Sequence, residues 1–363
     1  MTQHLYAVIM AGGGGTRLWP FSRQKTPKQL IPLFSQRSLF QVAVDRLKGF
    51  IPAERIFVVT IAHQVQELRQ QEPQLPEGNF LIEPQPRGTA AVVAMAAGAI
   101  SKVDPLGVLA VLTADHLITN VTGFQQHLSA ACEVAQKGYI GTLGIKPTFA
   151  ATGYGYIESG VSLGSFSGLP AFVVKRFIEK PDEAVARELV QKEHLSWNSG
   201  MFIARADVIL GEFQKHMPDL HATIQELQPT LGVDHLQKDF VEKWSGIKPQ
   251  TIDYGIMEKT RLAAVIPSRD LGWNDVGSWD SFFEVSEPDG DGNIVVDARH
   301  VGIRSNNLLI VSSAPEHLIV SLGVKDMIIV HTPDATLVCP RGESQRVKEL
   351  VTYLKENNLT LFT

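Results

Sequence analysis

Residues 8–29 read VIMAGGGGTRLWPFSRQKTPKQ, and this stretch decides the fold of the chain. An apolar run at 8–10 passes into four consecutive glycines at 12–15. Four basic residues follow at Arg17, Arg23, Lys25 and Lys28. Glycines after a strand let backbone N–H groups approach phosphate oxygens without interference from a Cβ atom. The stretch therefore predicts a strand, a phosphate-binding turn and a cationic segment.

Two common phosphate-binding motifs fit this stretch poorly. A Walker A loop requires G-x-x-x-x-G-K-[ST], and no Lys-Ser or Lys-Thr follows the glycines. A dinucleotide fingerprint requires G-x-G-x-x-G at the start of a helix, but the sixth position from Gly13 is Leu18, and Pro20 interrupts a helix. The third interpretation is a triphosphate loop in which Arg17 and Lys28 neutralise the β- and γ-phosphates. A solvated surface turn stays open as the alternative.

The composition is that of an ordinary globular protein. The chain has 363 residues, of which 44% are hydrophobic and 20% charged, with a net charge of −5 and no block of like charges. A large surface for nucleic acid is therefore not expected. The two cysteines, Cys132 and Cys339, predict neither a disulfide framework nor a cysteine metal site. Because the N-terminus lacks the regions of a signal peptide and no apolar run approaches ~18 residues, we expect a cytoplasmic protein without a membrane span.

Apolar runs alternate with helix-like segments through most of the chain. The runs predict strands at 6–10, 55–61, 80–82, 108–113, 139–145 and 171–178. Helices are predicted at 90–102, 125–137 and 182–193. This alternation predicts an α/β fold with a mainly parallel sheet.

The pattern changes near residue 287. The turn-rich stretch EPDGDGN (287–293) is followed by short strands at 294–296, 308–311, 318–320, 327–330 and 336–338, and by a helix at 343–355. Such closely spaced strands without helices between them predict a small β domain. We place a domain boundary there, with domains at 1–287 and 288–363. DGDGN lacks the glycine and glutamate of an EF-hand and is interpreted as a linker turn.

The stretch AGGGGTRLWPFSRQKTPKQL (11–30) resembles the signature of the sugar-1-phosphate nucleotidyltransferases, and its TRLWPxS…PKQ form is similar to that of the mannose-1-phosphate guanylyltransferases. Further matches follow in order at EPQPRGTAA (83–91), LTADHLI (112–118), GYGYIE (153–158), FIEKP (177–181), WNSGMF (197–202), IDYGIMEK (252–259), GWNDVGSW (272–279) and VKDMIIVHTPDATLV (324–338). The resemblance implies a Rossmann-like catalytic domain and a small C-terminal domain similar to a left-handed β-helix, with a closing helix.

The reaction that the resemblance implies is transfer of GMP from GTP to α-D-mannose 1-phosphate, giving GDP-mannose and pyrophosphate. It implies Mg²⁺ or another divalent cation as cofactor, in-line attack without a covalent intermediate, and a homodimer. Since the chain ends at Thr363, before the isomerase domain of longer relatives, we expect a single activity. Open alternatives are another nucleotide and hexose 1-phosphate pair, a non-catalytic relative, and a nicotinamide-dependent oxidoreductase.

The nucleotide side of the implied site begins at the glycines. The resemblance places Gly12 and Gly13 under the base and ribose and Gly88 at the base edge. Its full set of nucleotide-binding residues is Gly12, Gly13, Gly14, Gly15, Thr16, Arg17, Lys28, Gly88 and Asp115. Arg17 and Lys28 are expected to hold the departing pyrophosphate. For guanine, a backbone carbonyl is expected to accept N1–H and N2–H₂.

Two aspartates are implied as metal ligands. Asp115 follows the apolar run VLAVLTA, and the carboxyl end of a parallel strand would place it in a ligand crevice. Mg²⁺ prefers oxygen ligands, commonly one or two carboxylates with phosphates and water. The resemblance implies that Asp115 and Asp275 are these ligands, with Asp275 also facing the sugar phosphate. A helix cap or turn residue stays open as the alternative for each aspartate.

The sugar side is implied by three motifs. Glu179 is expected to accept hydrogen bonds from sugar hydroxyls, and Lys180 is expected to pair with the sugar phosphate as a catalytic group. Asn198 offers its amide to another hydroxyl, and Gly153 allows close backbone approach to the hexose. A solvated strand end for Glu179 and Lys180, and an Asn-Ser-Gly turn for Asn198, stay open as alternatives.

Overall fold

The computed structural model describes residues 3–13, 15–231, 237–268 and 270–363, so Gly14 of the predicted phosphate turn lies outside the described residues. The chain divides into two compact units made of interleaved segments. The sheet unit comprises Met1–Gly12, Ala43–Ala114 and Ile118–Trp273, and the coil unit comprises Gly13–Val42, Asp115–Leu117 and Asn274–Thr363. The predicted domain boundary near residue 287 stays a prediction.

The strands, in chain order, are β1 (Leu5–Met10), β2 (Ile56–Ile61), β3 (Phe80–Glu83), β4 (Val108–Thr113), β5 (Leu117–Ile118), β6 (Ile140–Ile145), β7 (Tyr156–Phe166), β8 (Leu169–Ile178), β9 (Leu195–Arg205), β10 (Ala263–Ser268), β11 (Trp273–Asn274), β12 (Ile294–Val296), β13 (Arg299–Ile303), β14 (Leu309–Ser312), β15 (Leu318–Leu322), β16 (Met327–Thr332) and β17 (Ala335–Pro340). The α-helices are α1 (Leu39–Asp45), α2 (Val65–Gln71), α3 (Thr89–Val103), α4 (Val121–Gln136), α5 (Glu183–Val190), α6 (Ala206–His216), α7 (Pro218–Leu227), α8 (Lys238–Ser245), α9 (Phe282–Val285) and α10 (Val347–Glu356).

The sheet unit is built on one large mixed sheet. Among the described residues, nine strands form it in the order β3-β2-β1-β4-β9-β6-β10-β8-β7. Strands β3, β2, β1 and β4 pair in parallel, as do β6 and β10. Within this described sheet, β8 and β9 run against the other strands. The predicted α/β fold with a mainly parallel sheet is confirmed.

The parallel part of the sheet forms because its strands are apolar along their whole length. Strand β1 (LYAVIM) and strand β4 (VLAVLT) are buried at almost every position, as expected when helices cover both faces. Helix α3 is buried from Ala90 to Ile100, since its many alanines and its Gly98 let it pack closely. The carboxyl ends of β1 and β3 lead to Gly12 and Glu83, which places these two residues at the same edge of the sheet.

Strands β7, β9 and β10 were not predicted from the sequence. Strand β9 (LSWNSGMFIAR) contains an Asn-Ser-Gly sequence typical of turns, and β10 contains Pro267, which is unfavourable in a central strand. Both strands are nevertheless almost completely buried in the sheet. Tertiary packing therefore overrides local preference here.

The coil unit contains two stacks of short parallel strands. β12, β14 and β16 form one stack, and β13 and β15 form the other, so the chain alternates between the two stacks in a β-helix-like coil. β17 pairs antiparallel with β16, and α10 follows. The predicted C-terminal β domain with a closing helix is confirmed, and Asp289 Oδ1 accepts the N–H groups of Asp291 and Asn293 in the predicted turn.

One hydrophobic core joins the glycine-loop segment to the C-terminal elements within the coil unit. It contains Trp19, Trp279, Ile328 and Val347, each almost fully buried. In the described part of the chain, no helix has the length and hydropathy needed to cross a membrane.

Candidate active site

The turn after β1 depends on Gly15. Gly15 has φ +58°, and a Cβ atom there would overlap with Cβ of Lys28. Ser22 Oγ donates to the Gly15 carbonyl at 2.6 Å, and Gln29 Nε2 donates to the Gly13 carbonyl at 3.1 Å. The signature segment, which we define as residues 13–29, therefore folds back on itself.

Lys28 brings two distant aspartates together. Its side chain is 7% exposed. Its Nζ donates to Asp115 Oδ2 at 3.1 Å and to the backbone carbonyl of Asp275 at 2.6 Å. The two predicted metal ligands, far apart in sequence, thus share one ammonium group within the coil unit.

The loop that carries Asp275 has a constrained backbone. Val276 has φ +46°, an outlier for a β-branched residue, and its side chain is fully buried. The Val276 N–H donates to Asn274 Oδ1 at 2.7 Å, and the Gly277 N–H donates to Asp275 Oδ1 at 3.0 Å. Such strain persists where the surroundings hold the backbone, and it is concentrated at functional sites.

Asp115 is suited to bind a cation. Desolvation would raise the pKa of its carboxyl, but the charges of Lys28 and His116 outweigh it and hold the pKa below its usual value. The carboxyl is therefore ionised at neutral pH. Among the described residues, no group of three or more His, Cys, Asp or Glu residues could hold a metal ion. Asp115 and Asp275 would then supply two carboxylates, which fits Mg²⁺ completing its coordination with phosphate oxygens and water.

Arg17 lies two positions after Gly15, the glycine whose backbone packs against Lys28. It belongs to a single 3₁₀ turn, Thr16–Leu18, and its Nη1 donates to Gln345 Oε1 at 2.8 Å. A guanidinium has five N–H donors, so one bond to a neutral amide leaves its charge available for an anion. Thr16 is exposed at the start of the same turn.

Glu83 is a candidate site residue to which the sequence analysis assigned no role. Its side chain lies at the end of β3, is 3% exposed, and faces Gly12, where a Cβ atom would lie 3.6 Å from Glu83 Oε2. Burial raises the pKa of its carboxyl to about 7, although the Arg87 N–H lies 3.4 Å from Oε1 and lowers it. Gly88 follows shortly, at φ +83° before α3. The sequence feature that could have identified Glu83 is its position directly after the apolar residues of a strand.

Glu179, Lys180 and Asn198 come together in the sheet unit. The Glu179 side chain is 6% exposed. Lys180 Nζ bonds to Glu179 Oε1. The other carboxylate oxygen, Glu179 Oε2, is buried without a hydrogen-bond partner among the described residues. Lys180 has φ +45°, an unusual conformation for a lysine. Asn198 is buried on β9, and its Oδ1 accepts the Gly200 N–H at 3.1 Å.

Asp253 completes this cluster and was also missed. It begins one turn of π-helix, Asp253–Met257, a rare form that is frequent at functional sites. Asn198 Nδ2 donates to Asp253 Oδ1 at 2.9 Å. Burial and, to a smaller extent, the neighbouring Glu179 charge raise the pKa of Asp253 to about 6 against the opposing effect of Lys180. The sequence feature that pointed to Asp253 was the match at IDYGIMEK (252–259), a motif to which the sequence analysis assigned no role.

Gly155 is the glycine that packs against this cluster. Its carbonyl accepts the Asn198 N–H at 2.8 Å, and a Cβ atom there would overlap with Glu179 Oε2. Gly153, the predicted residue, has open space where a Cβ atom would be. Tyr154 between them packs edge-on against Trp197 and Trp273, with ring centroids 5.0 and 5.4 Å apart.

The chain matches two protein families. Residues 6–291 match the family described as Nucleotidyl transferase, and residues 298–354 match the family described as MannoseP isomerase/GMP-like beta-helix domain. The first match covers most of the chain, including every predicted site residue.

Three similar proteins carry related names. A mannose-1-phosphate guanylyltransferase of Escherichia coli is 37% identical over 363 residues, covering 98% of this chain and 75% of the relative. One of Klebsiella pneumoniae is 37% identical over 360 residues, covering 97% of this chain and 74% of the relative. A crystal structure from Thermus thermophilus, called a mannose-1-phosphate geranyltransferase, is 30% identical with a TM-score of 0.87, covering 97% of this chain and 100% of that one. The chain therefore belongs to the nucleotidyl transferase family, among the mannose-1-phosphate guanylyltransferases.

Proposed function

We propose that this enzyme transfers GMP from GTP to α-D-mannose 1-phosphate, releasing pyrophosphate and forming GDP-mannose. The observation that carries the proposal is the Lys28 ammonium, which binds both the Asp115 carboxylate and the Asp275 carbonyl. An ammonium group that binds one carboxylate directly and the backbone of a second aspartate suits the transfer of a charged phosphoryl group, which depends on positioning and electrostatic stabilisation. The names of the similar proteins favour the same reaction.

The coil unit supplies the groups for the triphosphate. Lys28 uses two of its three N–H donors on Asp115 and Asp275 among the described residues, which leaves one for a phosphate oxygen. Arg17 offers the forked geometry that matches phosphate. Negative charge grows on the departing pyrophosphate in the transition state, so these donors stabilise it more than they stabilise bound GTP.

Asp115 and Asp275 are the residues that would hold Mg²⁺ or another divalent cation. When bound there, the cation would neutralise phosphate charge during the transfer. The lowered pKa of Asp115 keeps its carboxylate available over the neutral pH range. Asp275 keeps its carboxylate oriented through the Gly277 N–H.

The cluster in the sheet unit supplies the groups for the hexose phosphate. The buried, unpartnered Oε2 of Glu179 would accept a sugar hydroxyl, because an unsatisfied buried carboxylate oxygen is costly. Asn198 and Asp253 hold each other in place for further hydroxyl contacts. Lys180 would pair with the sugar phosphate and orient the oxygen that attacks the α-phosphorus of GTP.

Glu83 is our candidate for reading guanine. The Watson–Crick edge of guanine presents two adjacent donors, N1–H and N2–H₂, and a carboxylate presents two acceptor oxygens. Glu83 lies at the carboxyl edge of the sheet beside Gly12, where the nucleotide is expected. In this proposal the Glu83 carboxylate takes the role for which the sequence analysis named a backbone carbonyl, and that earlier expectation stays untested.

We further propose that the protein is a homodimer formed through one face of the coil unit. Five large apolar side chains on β13 and β15 are each half or more exposed: Val301, Ile303, Leu318, Val320 and Leu322. Together they expose on the order of 500 Å², near the upper limit for apolar patches on monomers. Beside them Arg299 pairs with Glu316 at 2.7 Å, so the rim of the patch carries both a cation and an anion. A two-fold interface would bring the same patch and rim of two copies together.

The test of the catalytic proposal is pyrophosphate release measured with GTP, ATP, UTP and dTTP, each with mannose 1-phosphate and glucose 1-phosphate. We expect the highest kcat/KM for GTP with mannose 1-phosphate and no release without a divalent cation. A preference for another pair would leave a nucleotidyltransferase of different specificity. Absence of release with every pair would contradict the proposal.

A further inference from the structure

Hydrogen bonds tie the signature segment to the C-terminal part of the chain within the coil unit. The backbone carbonyl of Phe362 accepts Trp19 Nε1–H at 2.5 Å and also accepts Nη1 of Arg23. Arg23 Nη2 lies 2.9 Å from Asp334 Oδ1. The segment that follows Arg17 is therefore fixed by residues more than 300 positions away.

Arg17 is held from the same part of the chain by Gln345. The bond from Arg17 Nη1 to Gln345 Oε1 is 2.8 Å, and within the described ranges Gln345 is the one hydrogen-bond partner of the Arg17 side chain. Arg17 sits on a single 3₁₀ turn, so its own backbone does little to restrict its long side chain. Gln345 is therefore the group that selects the direction of the guanidinium.

Gln345 stands on a rigid support. Its Nε2 donates to Ser278 Oγ at 3.3 Å, and Ser278 forms a capping box with Ser281 shortly after Asp275. The preceding residue, Ser344, is fully buried and exchanges hydrogen bonds with Asp280. Gln345 thus connects Arg17 to the turn that follows Asp275.

We propose that Gln345 is a positioning residue for nucleotidyl transfer, holding Arg17 so that its remaining N–H donors meet the outer phosphates of the nucleotide. A neutral amide suits this role, because it orients the guanidinium without cancelling its charge or repelling the triphosphate. Ordering the side chain before the nucleotide arrives lowers the cost of ordering it on binding. The inference rests on the proposed function, in which Arg17 faces the departing pyrophosphate.

A double-mutant cycle tests the inference, with kinetics of the wild type, Gln345→Ala, Arg17→Ala and the double variant. Gln345→Ala should lower kcat/KM for GTP about three- to tenfold, the range for one hydrogen bond between side chains. The KM for mannose 1-phosphate should not change. In the Arg17→Ala background the second substitution should cause no further loss, because its effect passes through Arg17.

Two variants separate positioning from structural damage. Lys348→Ala changes an exposed residue in the first turn of α10, three positions after Gln345, and should leave kcat/KM for GTP unchanged. Gln345→Glu keeps the acceptor for Arg17 but adds a charge near the triphosphate. It should retain a higher kcat than Gln345→Ala while raising the KM for GTP. Melting temperatures of all variants should stay within about 1–2 °C, since this bond is exposed.

The outcomes distinguish the inference from the proposed function. Equal losses from Gln345→Ala in the wild-type and Arg17→Ala backgrounds would mean that Gln345 does not act through Arg17. A lower rate for Arg17→Ala with no effect of Gln345→Ala would overturn the inference and leave the proposed function standing. A fully active Arg17→Ala variant would overturn the inference and the role given to Arg17, whereas the pyrophosphate that it releases would leave the proposed reaction standing.

Discussion

Replacing Glu83 with glutamine should stabilise the ligand-free protein at alkaline pH and weaken its use of GTP. Burial raises the pKa of this carboxyl from 4.5 to about 7. Between these values the folded state keeps a proton that the unfolded state has lost. The stability linked to Glu83 is therefore fully present below pH 4.5 and is lost as the pH rises through 7.

The size of the effect follows from the two pKa values. The difference between about 7 and 4.5 corresponds to about 3 kcal/mol of unfolding free energy at alkaline pH. About 2.5 kcal/mol of this falls between pH 5 and pH 8 by the same linkage. Glutamine has nearly the same shape and does not ionise, so Glu83→Gln lacks this dependence. Relative to wild type, the variant should gain about 2.5 kcal/mol from pH 5 to pH 8.

Urea unfolding of the wild type and of Glu83→Gln at pH 5, 6.5 and 8 without ligand measures this gain. The contributions of titratable groups that both proteins share cancel in the difference between their unfolding free energies. Glu77→Gln is the matched control, because the Glu77 side chain is 86% exposed and should show no such gain. A difference between Glu83→Gln and wild type that stays constant with pH would refute the reasoning.

Kinetics of the same variant test the role of Glu83 in reading guanine. An amide offers one donor and one acceptor, so it cannot accept both N1–H and N2–H₂. Glu83→Gln should therefore raise the KM for GTP and narrow the preference for GTP over UTP, whose base presents one N3–H donor between two carbonyl acceptors. In the wild type the KM for GTP should fall as the pH rises through about 7, where the carboxylate forms. An unchanged nucleotide preference would remove Glu83 from the base site.

Three further predictions follow from the site and the exposed face. Asp275→Asn should raise the Mg²⁺ concentration needed for half-maximal activity without unfolding the loop, because Lys28 binds the backbone carbonyl there; wild-type activity at limiting Mg²⁺ would contradict this. Lys180→Ala should lower kcat/KM for mannose 1-phosphate about ten- to a hundredfold with little change in the KM for GTP, as steady-state kinetics with each substrate varied will show. Val320→Glu should convert a dimer to a monomer in sedimentation velocity, whereas Val161→Glu, on an exposed position of β7, should not; a wild-type monomer would refute the proposed interface.

Much of the fold was predictable because its strands and helices have strong local patterns. The strands at 55–61 and 108–113 are apolar at nearly every position, and they form the parallel part of the sheet. Strands β9 and β10 could not be predicted in this way, since an Asn-Ser-Gly sequence and Pro267 suggest turns. Their burial within the sheet outweighs those local preferences.

The sequence by itself determined the family and the residue types of the site. A contiguous motif such as the signature segment can be read from the chain because its glycines and basic residues lie close together along it. The same holds for Glu179 and Lys180, which are neighbours in FIEKP.

Only the tertiary structure decided which distant groups meet. The Lys28 ammonium group contacts both Asp115 and Asp275, and Arg17 donates a hydrogen bond to Gln345. No pattern of spacing in the sequence links these positions. The raised pKa of Glu83 was equally hidden, because it arises from burial. Contacts and desolvation depend on how the chain packs in three dimensions, and a carboxylate in a sequence shows neither its partner nor its distance from water.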